Sequence, residues 1–505
     1  MSAKSDFMIS RRRFMQTAAL ASAGLYLGAR WAFGEINVTK PMKREMGRLN
    51  FEASTLGLGG QGSLQWTPAG IEPTPIILKA FNLGINYFDT SNAYGLSQLN
   101  YGKAFRELQL VPGLPGYKES ARRAIFLTSK TMLRWAKGGW TKEGIRSFSN
   151  GPRGSGAVDD LKRSLTQMFG DGNGYYPQGS YLNMILIHNL TTREEIEAVY
   201  EGLDKPDPRA EHIGALAALV DYRDGTNLTG LNPKEEKLIR HIGFSGHHSP
   251  PVMMEMIQRD ERNILEGMLV AINANDRLNF NMQYNIIPVA AARNMGLIAM
   301  KVFADGAMYT KPATWSNQPE HVVRTVGSDS LPSRPLVQYA LSTPGIATAI
   351  IGIGQISDDP KACQLQQNLS AAQVAPSGLA ASDRLAIERM TRPVKDGKTN
   401  YFQLPKEAMT PPREAGAEQE MRDGKRLIRL KWQTAFAGDE PIARYEIWRD
   451  HQKISQVAHR PQITRKPFVF EEALNDRAAH QYQVATVDAA GRSAASEELL
   501  IPSVG

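Results

Sequence analysis

Four side chains in the first half of the chain have the types needed to move a proton to or from a carbonyl oxygen: Asp89, Tyr94, Lys130 and His188. An unperturbed tyrosine is a poor acid at neutral pH because its pKa is about 10. A nearby ammonium group stabilises the phenolate and lowers that pKa, so that Tyr94 can donate its proton. Asp89 would keep Lys130 charged and oriented in a partly dry pocket, and His188 would hydrogen-bond the substrate oxygen.

No side chain in this set can supply a hydride. Reduction of a carbonyl, or oxidation of the alcohol in reverse, therefore requires a nicotinamide cofactor. The sequence predicts a site at which these four residues meet such a cofactor.

The four residues lie at or just after the ends of predicted strands. Short apolar, β-rich runs recur with helix-compatible stretches between them, such as Ala157–Phe169, Thr192–Gly202 and Pro251–Arg259. The predicted strands are 55–59, 85–89, 125–130, 183–188, 241–245, 268–273, 297–301 and 348–352. Eight such units predict an α/β fold, a (β/α)₈ TIM barrel, whereas a doubly wound sheet usually has fewer strands. Since barrel strands end on one face, the four side chains should converge there.

Composition narrows the class of protein. With 42% hydrophobic and 22% charged residues, the 505-residue chain is neither disordered nor a polytopic membrane protein. Residues 1–34 hold five Lys or Arg and one acid, half of the net charge of +8, so the remaining charge is too dilute for a nucleic-acid partner. The single cysteine, Cys363, excludes an internal disulfide, a Cys₄ zinc site and an iron–sulfur cluster.

The first 34 residues have the pattern of a targeting signal. The run SRRRFM (10–15) precedes a mild apolar stretch, 17–29, that is shorter than the roughly 20 residues needed to span a bilayer. It resembles a twin-arginine export signal, and a disordered basic arm is the alternative. The resemblance implies the twin-arginine translocation machinery as a partner and a periplasmic or envelope-associated location, with cleavage left open.

Several stretches resemble the aldo-keto reductase family over about residues 45–390. They are GINYFDTSNAYG (84–95), FLTSK (126–130), LKRSLTQMF (161–169), YLNMILIH (181–188), HIGFSGHH (241–248), NMGLIAMKVFADG (294–306) and TAIIGIGQISDDPKACQLQQNL (348–369). The family's acid–base tetrad would fall on Asp89, Tyr94, Lys130 and His188. The resemblance implies NAD(P)-dependent interconversion of an aldehyde or ketone and an alcohol.

The same resemblance implies contacts with the nicotinamide. Ser245 and Asn273 take positions at which the family holds the carboxamide, although Gly246 replaces the usual Asn after the serine. Met300, with Lys301 beside it, stands where an aromatic side chain often stacks on the ring. Methionine can cover a ring face, but more loosely.

Phosphate contacts are implied farther along the chain. Backbone amides of Gly352 and Gly354 could hold the pyrophosphate, although two glycines could also simply form a turn. Gln364 stands four residues before Asn368, where the family often places a basic residue. The cofactor is therefore NADP or NAD.

Two further groups of residues have alternative interpretations. The adjacent imidazoles of His247 and His248 rarely face one centre, so no metal is predicted, and as loop residues after the fifth strand they could instead contact substrate. Four tryptophans in predicted loops would suit a sugar or a flat substrate, or would be packed anchors: Trp66, Trp135, Trp140 and Trp315.

The last part of the chain changes character. Residues 391–424 are rich in Pro, Lys and Glu and are predicted to be a linker. In 425–505, strand-like runs at 427–432, 443–450, 468–473 and 480–488 predict an all-β sandwich. Trp432, Tyr445 and Tyr482 resemble core positions of a fibronectin type III module. Such a module could contact an envelope polymer.

The sequence thus predicts an exported NAD(P)-dependent oxidoreductase acting on an aldehyde, ketone or sugar. The alternative is a catalytically inactive barrel that serves as an envelope binding or scaffolding protein, which the altered nicotinamide positions favour. A barrel hydrolase is less well supported, because glycosidases need two carboxylates and Asp89 has no evident acidic partner at another strand end.

Overall fold

The computed structural model describes residues 40–139 and 142–504, and its larger unit is a closed barrel of eight parallel strands. The predicted export signal, 1–34, and Trp140 lie outside the described residues. The barrel strands are β1 (Leu56–Gly62), β2 (Tyr87–Asp89), β3 (Phe126–Thr131), β4 (Leu182–Ile187), β5 (Ile239–Gly246), β6 (Leu265–Ala271), β7 (Gly296–Met300) and β8 (Ile346–Ile353). All eight predicted strands and the predicted (β/α)₈ class are confirmed.

Helices alternate with these strands, and the three named from sequence are confirmed within two residues at each end. They are α1 (Pro73–Asn82), α2 (Ser97–Glu107), α3 (Glu119–Arg123), α4 (Ala157–Phe169), α5 (Arg193–Tyr200), α6 (Ala215–Asp224), α7 (Pro250–Arg259), α8 (Ile287–Ala292), α9 (Ser333–Leu341), α10 (Gln364–Ala371) and α11 (Ala381–Thr391). Within the part of the chain that the structure describes, no helix is long and apolar enough to cross a membrane.

The barrel strands are buried on both sides, as parallel strands covered by helices must be. Every residue of β4 is buried, and β2 is buried over its whole length. Two short antiparallel pairs flank the barrel: Lys43–Glu45 with Glu52–Ser54, and Trp135–Lys137 with Ile213–Gly214. The side chain of Arg44, in the first pair, donates to the carbonyl oxygens of Leu341 and Ile346 at 2.7 Å and ties that pair to the start of β8.

A glycine sets the spacing between β1 and the end of β2. A Cβ on Gly60 would lie 2.5 Å from the carbonyl oxygen of Asp89 and 2.8 Å from Ser97 Oγ. Only a residue without a side chain lets the two strands approach this closely. Gly60 therefore helps to place Asp89 at the mouth of the barrel.

The C-terminal unit is an all-β sandwich of two antiparallel sheets, as predicted. Its strands are β9 (Arg413–Arg422), β10 (Lys425–Gln433), β11 (Ile442–Arg449), β12 (Gln452–Ala458), β13 (Phe468–Leu474), β14 (His480–Asp488), β15 (Ser493–Ala495) and β16 (Leu499–Ile501). One sheet has the order β9-β10-β13, and the other has β12-β11-β14-β15 with β16 also on β14. Trp432 from the first sheet and Tyr445 and Tyr482 from the second are fully buried in one core.

The prediction that 391–424 is a linker is wrong for much of its length. Residues 413–422 form strand β9, and Asn400 and Gln403 are buried against the barrel. The hairpin to β10 turns at Asp423-Gly424, both with positive φ, which is a strong hairpin signal in a sequence. The charged residues of the exposed edge strand β9 hid its alternation.

The sandwich is fastened to the barrel by polar and aromatic contacts. Asn281 donates to the carbonyl oxygen of Gly438 at 2.8 Å, and Asn285 Oδ1 accepts from the Ala437 amide at 2.8 Å. The rings of Phe280 and Phe436 pack edge to face with centroids 5.3 Å apart. These contacts join the loop between β10 and β11 of the sandwich to the connection between β6 and α8 of the barrel.

Candidate active site

A buried ion pair lies at the ends of β2 and β3. Asp89 is opposite Thr128 in the parallel register, and Lys130 lies on the same side of β3 as Thr128, two residues on. The Lys130 ammonium pairs with Asp89 Oδ1 and donates to the carbonyl oxygen of Thr90 at 2.8 Å. Both side chains are within 1% of complete burial. Such a pair persists in a dry site because each charge compensates the other.

Tyr94 and His188 lie next to this pair. The Lys130 ammonium is 4.6 Å from the centroid of the Tyr94 ring, and the rings of Tyr94 and His188 meet edge to face at 5.7 Å. His188 Nδ1 is 3.3 Å from Ser91 Oγ. The structure therefore brings together all four predicted acid–base residues, which we call the acid–base end of the site (Asp89, Tyr94, Lys130 and His188).

Burial decides the protonation states at the acid–base end. It raises the pKa of Tyr94 well above its ordinary value, helped by the charges of Asp89 and Asp305. This differs from the expectation that Lys130 lowers that pKa, because the ammonium is already paired with Asp89 and burial dominates. Burial and the Lys130 charge hold the pKa of His188 well below its ordinary value. Tyr94 is thus a protonated donor and His188 a neutral imidazole at pH 7.

A single cleft runs from the acid–base end across the top of the barrel. Asp89 and Tyr94 line it, and so do four of the predicted cofactor residues: Met300, Lys301, Gly352 and Asn368. The backbone of Gly352 is exposed within the cleft. The opposite wall comes from residues 321–327, in the long connection between β7 and α9.

Three predicted cofactor residues do not line this cleft. Ser245 is fully buried, and its Oγ accepts from the Asn189 amide at 2.9 Å. Asn273 is also fully buried, and its amide exchanges two hydrogen bonds with Asn400, of 2.8 and 3.1 Å. Both carboxamide positions are therefore satisfied by the protein itself.

The third of these, Gly354, follows Gly352 near the far end of the cleft without lining it; we call Gly352, Gly354, Gln364 and Asn368 the phosphate end. Gln364 Oε1 accepts from the amides of Gly354 and Gln355 at 2.8 and 3.0 Å. Its Nε2 donates to the carbonyl oxygens of Val323 and Thr325 at 3.1 and 2.8 Å. A Cβ on Gly354 would lie 2.2 Å from the Val323 oxygen. Gln364 thus joins the end of β8 to the cleft wall, a role not expected from sequence.

A second charged cluster at the cleft was also not predicted. Asp305 pairs with Lys301 at 2.7 Å and with Lys311 at 3.2 Å, and it accepts from the Tyr401 hydroxyl at 2.9 Å. The two ammonium groups hold the pKa of Asp305 well below its ordinary value although burial acts in the opposite direction. The positive φ of Asp305, 60°, belongs to a tight turn that the sequence did not reveal.

The segment 398–404, which we call the strap, crosses the top of the barrel. Besides the Asn400 and Tyr401 contacts, the strap exchanges two hydrogen bonds with His248: its imidazole donates to the Phe402 carbonyl oxygen, and its own carbonyl accepts from the Leu404 amide, both at 3.1 Å. No group of three or more His, Cys, Asp or Glu suited to a metal occurs in residues 40–139 and 142–504. The strap was hidden within the predicted linker.

Comparison with known proteins places this site in a family. The family model of the aldo/keto reductase family matches residues 55–375. An uncharacterized oxidoreductase of Bacillus subtilis, YqkF, is 20% identical over 65% of this chain and 90% of its own length. The L-galactose dehydrogenase of Arabidopsis thaliana is 21% identical over 71% of this chain and 97% of its own.

Solved structures give similar matches. A Klebsiella pneumoniae aldo/keto reductase in complex with NADP and acetate is 15% identical over 70% of this chain and 96% of that one, with a TM-score of 0.41. A Bombyx mori aldo-keto reductase in complex with NADP is 15% identical over 70% and 93%, with a TM-score of 0.42. With the family model matching well over half of its length, the chain belongs to the aldo/keto reductase family and is an oxidoreductase of that type.

Proposed function

We propose that the protein interconverts a small carbonyl compound (an aldehyde, a ketone or a sugar) and the corresponding alcohol, with NADP or NAD as the hydride carrier and Tyr94 as the proton donor. The observation that carries this proposal is the buried Lys130–Asp89 pair, with its ammonium 4.6 Å from the ring centroid of Tyr94, at one end of a long cleft. A buried lysine is costly to keep, so its placement beside a phenol favours chemistry.

Each side chain has a distinct role in this proposal. Tyr94 keeps its proton at neutral pH because its pKa is raised, and it gives that proton to the oxygen of the carbonyl as negative charge develops there. The Lys130 ammonium stabilises the tyrosinate that remains. Asp89 holds the ammonium in place, and the neutral His188 directs the substrate oxygen toward Tyr94.

The residues that line the cleft support a dinucleotide as its ligand. It runs from Tyr94 along Met300 and Lys301 to the exposed backbone of Gly352 and to Asn368. When bound, the nicotinamide supplies or accepts the hydride. Met300 and Gly352 would contact it along the cleft. The Arabidopsis relative is named as a dehydrogenase of a sugar, L-galactose, which is compatible with this chemistry.

The test is nucleotide binding and turnover by the full-length protein. We expect saturable fluorescence changes with NADPH or NADH, and nucleotide consumption with a panel of aldehydes and ketones. Gly352→Val should weaken nucleotide binding by at least tenfold, because Gly352 lines the cleft and a Cβ there, 3.1 Å from backbone atoms of Gln61 and Gly62, would displace the backbone that borders the cleft. Gly416→Val is the matched control, since a Cβ there has no neighbour within 4 Å. Absence of binding and of turnover would refute the proposal.

One observation supports a second candidate function, in which the barrel binds a partner without catalysis. Ser245 and Asn273, the two residues expected at the carboxamide, are fully buried and hydrogen-bonded within the protein. This candidate predicts no nucleotide binding at any concentration tested. The same titration therefore separates the two functions.

We also propose that the protein works outside the cytoplasm, after export by the twin-arginine machinery. The basic run 10–15 and the apolar stretch after it support this location. Since that route carries folded proteins, the cofactor could be bound before export. Fractionation of cells carrying Arg11→Lys/Arg12→Lys/Arg13→Lys should leave the protein inside, and unchanged export would refute the proposal.

For the sandwich we propose a fibronectin type III-like module that contacts an envelope polymer. The sheet order and the buried Trp432, Tyr445 and Tyr482 support the module. Co-sedimentation of the full-length protein with isolated envelope polymer tests the contact. Equal sedimentation of protein truncated after residue 412 would argue against it.

A further inference from the structure

A buried arginine holds the turn that follows His188. Arg134 lies just after the end of β3, and its side chain is completely buried. Its Nη1 donates to the carbonyl oxygen of His188 at 2.9 Å, and its Nη2 donates to that of Asn189 at 3.1 Å. One guanidinium group therefore binds two consecutive carbonyl groups of the main chain.

The backbone conformation of Asn189 makes this double contact possible. In an extended strand, successive residues face opposite sides, so a single side chain does not reach two consecutive carbonyl groups. Asn189 has a φ of 53°, in the left-handed region in which asparagine is enriched. The turn at Asn189 thus brings both carbonyl groups to the side on which Arg134 lies.

The two strands beside β4 hold the same turn. Ser245, on β5, accepts from the Asn189 amide through its Oγ at 2.9 Å and from the Leu190 amide through its carbonyl oxygen at 3.2 Å. The His188 amide donates to the carbonyl oxygen of Thr131, on β3, at 2.8 Å. The main chain around His188 is therefore fixed from both neighbouring strands as well as by the guanidinium group.

A buried carboxylate keeps that guanidinium group in place. Glu195, in the first turn of α5, is completely buried and accepts from Arg134 Nη2 at 3.2 Å. It also pairs with Arg146 at 3.2 Å, so two cations share one carboxylate. Arg134 Nε has no hydrogen-bond partner among the described residues. A buried cation that is shared in this way and leaves one N–H unbonded is a poor device for stability alone, which favours a role in the reaction.

The imidazole of His188 is oriented by different contacts from its main chain. Its Nδ1 lies 3.3 Å from Ser91 Oγ, and its ring meets that of Tyr94 edge to face at 5.7 Å. These contacts set the rotation of the ring, whereas the turn sets the position of the Cα atom. A displacement of the main chain would be passed on to the imidazole, and a misplacement of about 1 Å can lower a rate by about 10²-fold.

We propose that Arg134 is a positioning residue for the reaction: its two hydrogen bonds set the place from which the His188 imidazole meets the substrate oxygen. Arg134 is not among the described residues that line the cleft, so it acts through His188 rather than on the substrate or the cofactor. The inference rests on the proposed function for the role of His188. The placement of the imidazole, however, can be measured without turnover.

Arg122 supplies a matched control at the opposite end of the same strand. Its side chain is 1% exposed, and its Nη2 donates to the carbonyl oxygen of Tyr181, directly before β4, at 2.7 Å. Its Nη1 donates to Asn183 Oδ1 at 3.0 Å. Arg122→Gln and Arg134→Gln thus each remove a buried guanidinium group that is bound to the main chain beside β4. A loss of stability should occur in both variants, but a displaced His188 only in Arg134→Gln.

The placement test uses the full-length protein labelled with ¹³C-histidine. The signal that disappears from the ¹H–¹³C spectrum of His188→Phe is that of the His188 ring. Arg134→Gln should shift this signal and leave that of His480, in the sandwich, unchanged. Arg122→Gln should leave the His188 signal in place. An unshifted His188 signal in Arg134→Gln would overturn the proposal.

The kinetic test uses propanal and NADPH. Arg134→Gln should lower kcat/KM by about tenfold or more, and Arg134→Lys, which keeps the charge, by less. In a His188→Phe background, Arg134→Gln should lower the remaining kcat/KM by less than about twofold, because its effect passes through the imidazole. Arg122→Gln should also lower kcat/KM by less than about twofold.

The outcomes separate this inference from the proposed function. Equal losses of kcat/KM with and without His188, or in the Arg134 and Arg122 variants, would overturn the positioning role and leave the proposed function standing. A shifted His188 signal in a protein that neither binds nucleotide nor turns over a carbonyl compound would do the reverse. In that case the guanidinium group places the imidazole, and the proposed reaction is refuted.

Discussion

The acid–base end and the phosphate end of the cleft are built in different ways. At the acid–base end, Asp89 and Lys130 lie at the ends of adjacent strands, His188 directly follows β4, and Tyr94 lies in the loop after β2. At the phosphate end, the amide of Gly354 is already bonded to Gln364. The acid–base side chains are therefore in place before any ligand binds. At the phosphate end, by contrast, the Gly354 amide is already used in a hydrogen bond within the protein. A barrel fixes strand ends firmly, so chemistry placed there needs little help from loops.

The acid–base end should lose its activity when a single atom, the Tyr94 hydroxyl oxygen, is removed. Tyr94→Phe should lower kcat by about 10²–10⁴-fold, the usual contribution of general acid catalysis, because only the proton donor is lost. The Kd of NADPH should change less than twofold. Steady-state kinetics and fluorescence titration measure the two quantities, with His248→Phe as a control that also removes a polar group near the cleft. A loss of less than tenfold would show that another group donates the proton.

Breaking the buried ion pair should have the next largest effect. Lys130→Met leaves Asp89 buried without a counterion, and we expect the free energy of unfolding of the barrel to fall by about 3–5 kcal/mol. The double variant Asp89→Asn/Lys130→Met should lose less, because no charge remains uncompensated. Urea denaturation checks both, with the exposed Lys103→Met as a control. Equal losses in the single and double variants would contradict the coupling.

The pH dependence of stability tests the contact between Asp276 and Gln403 of the strap. Burial raises the pKa of Asp276, which accepts from the Gln403 side chain, to about 6. The folded state thus holds this proton more tightly than the unfolded state, whose pKa is near 3.8. Protonation of Asp276 therefore adds about 3 kcal/mol to the free energy of unfolding. This contribution is complete below pH 3.8 and is lost as the pH rises to 6.

Asp276→Asn should abolish that part of the pH dependence. Unfolding curves at pH 4, 5, 6 and 7 measure the difference between wild type and variant, and the exposed Asp204→Asn serves as the control. If the difference in the free energy of unfolding between wild type and Asp276→Asn does not change between pH 4 and 6, then Asp276 has its ordinary pKa in the folded protein.

The smallest expected effect is at the phosphate end. Gln364→Ala removes the two bonds to Val323 and Thr325 that hold the cleft wall. We expect NADPH to dissociate about tenfold faster, since each such bond contributes about 1 kcal/mol. Stopped-flow displacement measures the rate. Gln367→Ala, on the same helix but bonded to Pro360, should leave it unchanged. A slower rate in Gln364→Ala would mean that Gln364 competes with the cofactor for the amides.

Much of the barrel could be predicted because its signals are local. Eight apolar runs of strand length, separated by helical stretches, predict the closed sheet. The order of Asp89, Tyr94, Lys130 and His188 at or just after strand ends predicts their convergence, since a parallel barrel brings those ends to one face. The direction of the pKa shift of Tyr94 was misjudged, because it depends on how deeply the phenol is buried and on the carboxylates near it.

The rest was decided by tertiary structure. Asn273 and Asn400 are 127 residues apart, and neither residue type nor spacing indicates that their amides pair. The strap lay within a stretch whose composition predicts a linker. The ring contacts of His247 with Trp315 and Phe402 join three segments that share no local pattern. The sequence by itself determined the order of the elements and the residues at their ends. Only the packing of distant segments decided which polar groups are satisfied, which remain open, and what the cleft can bind.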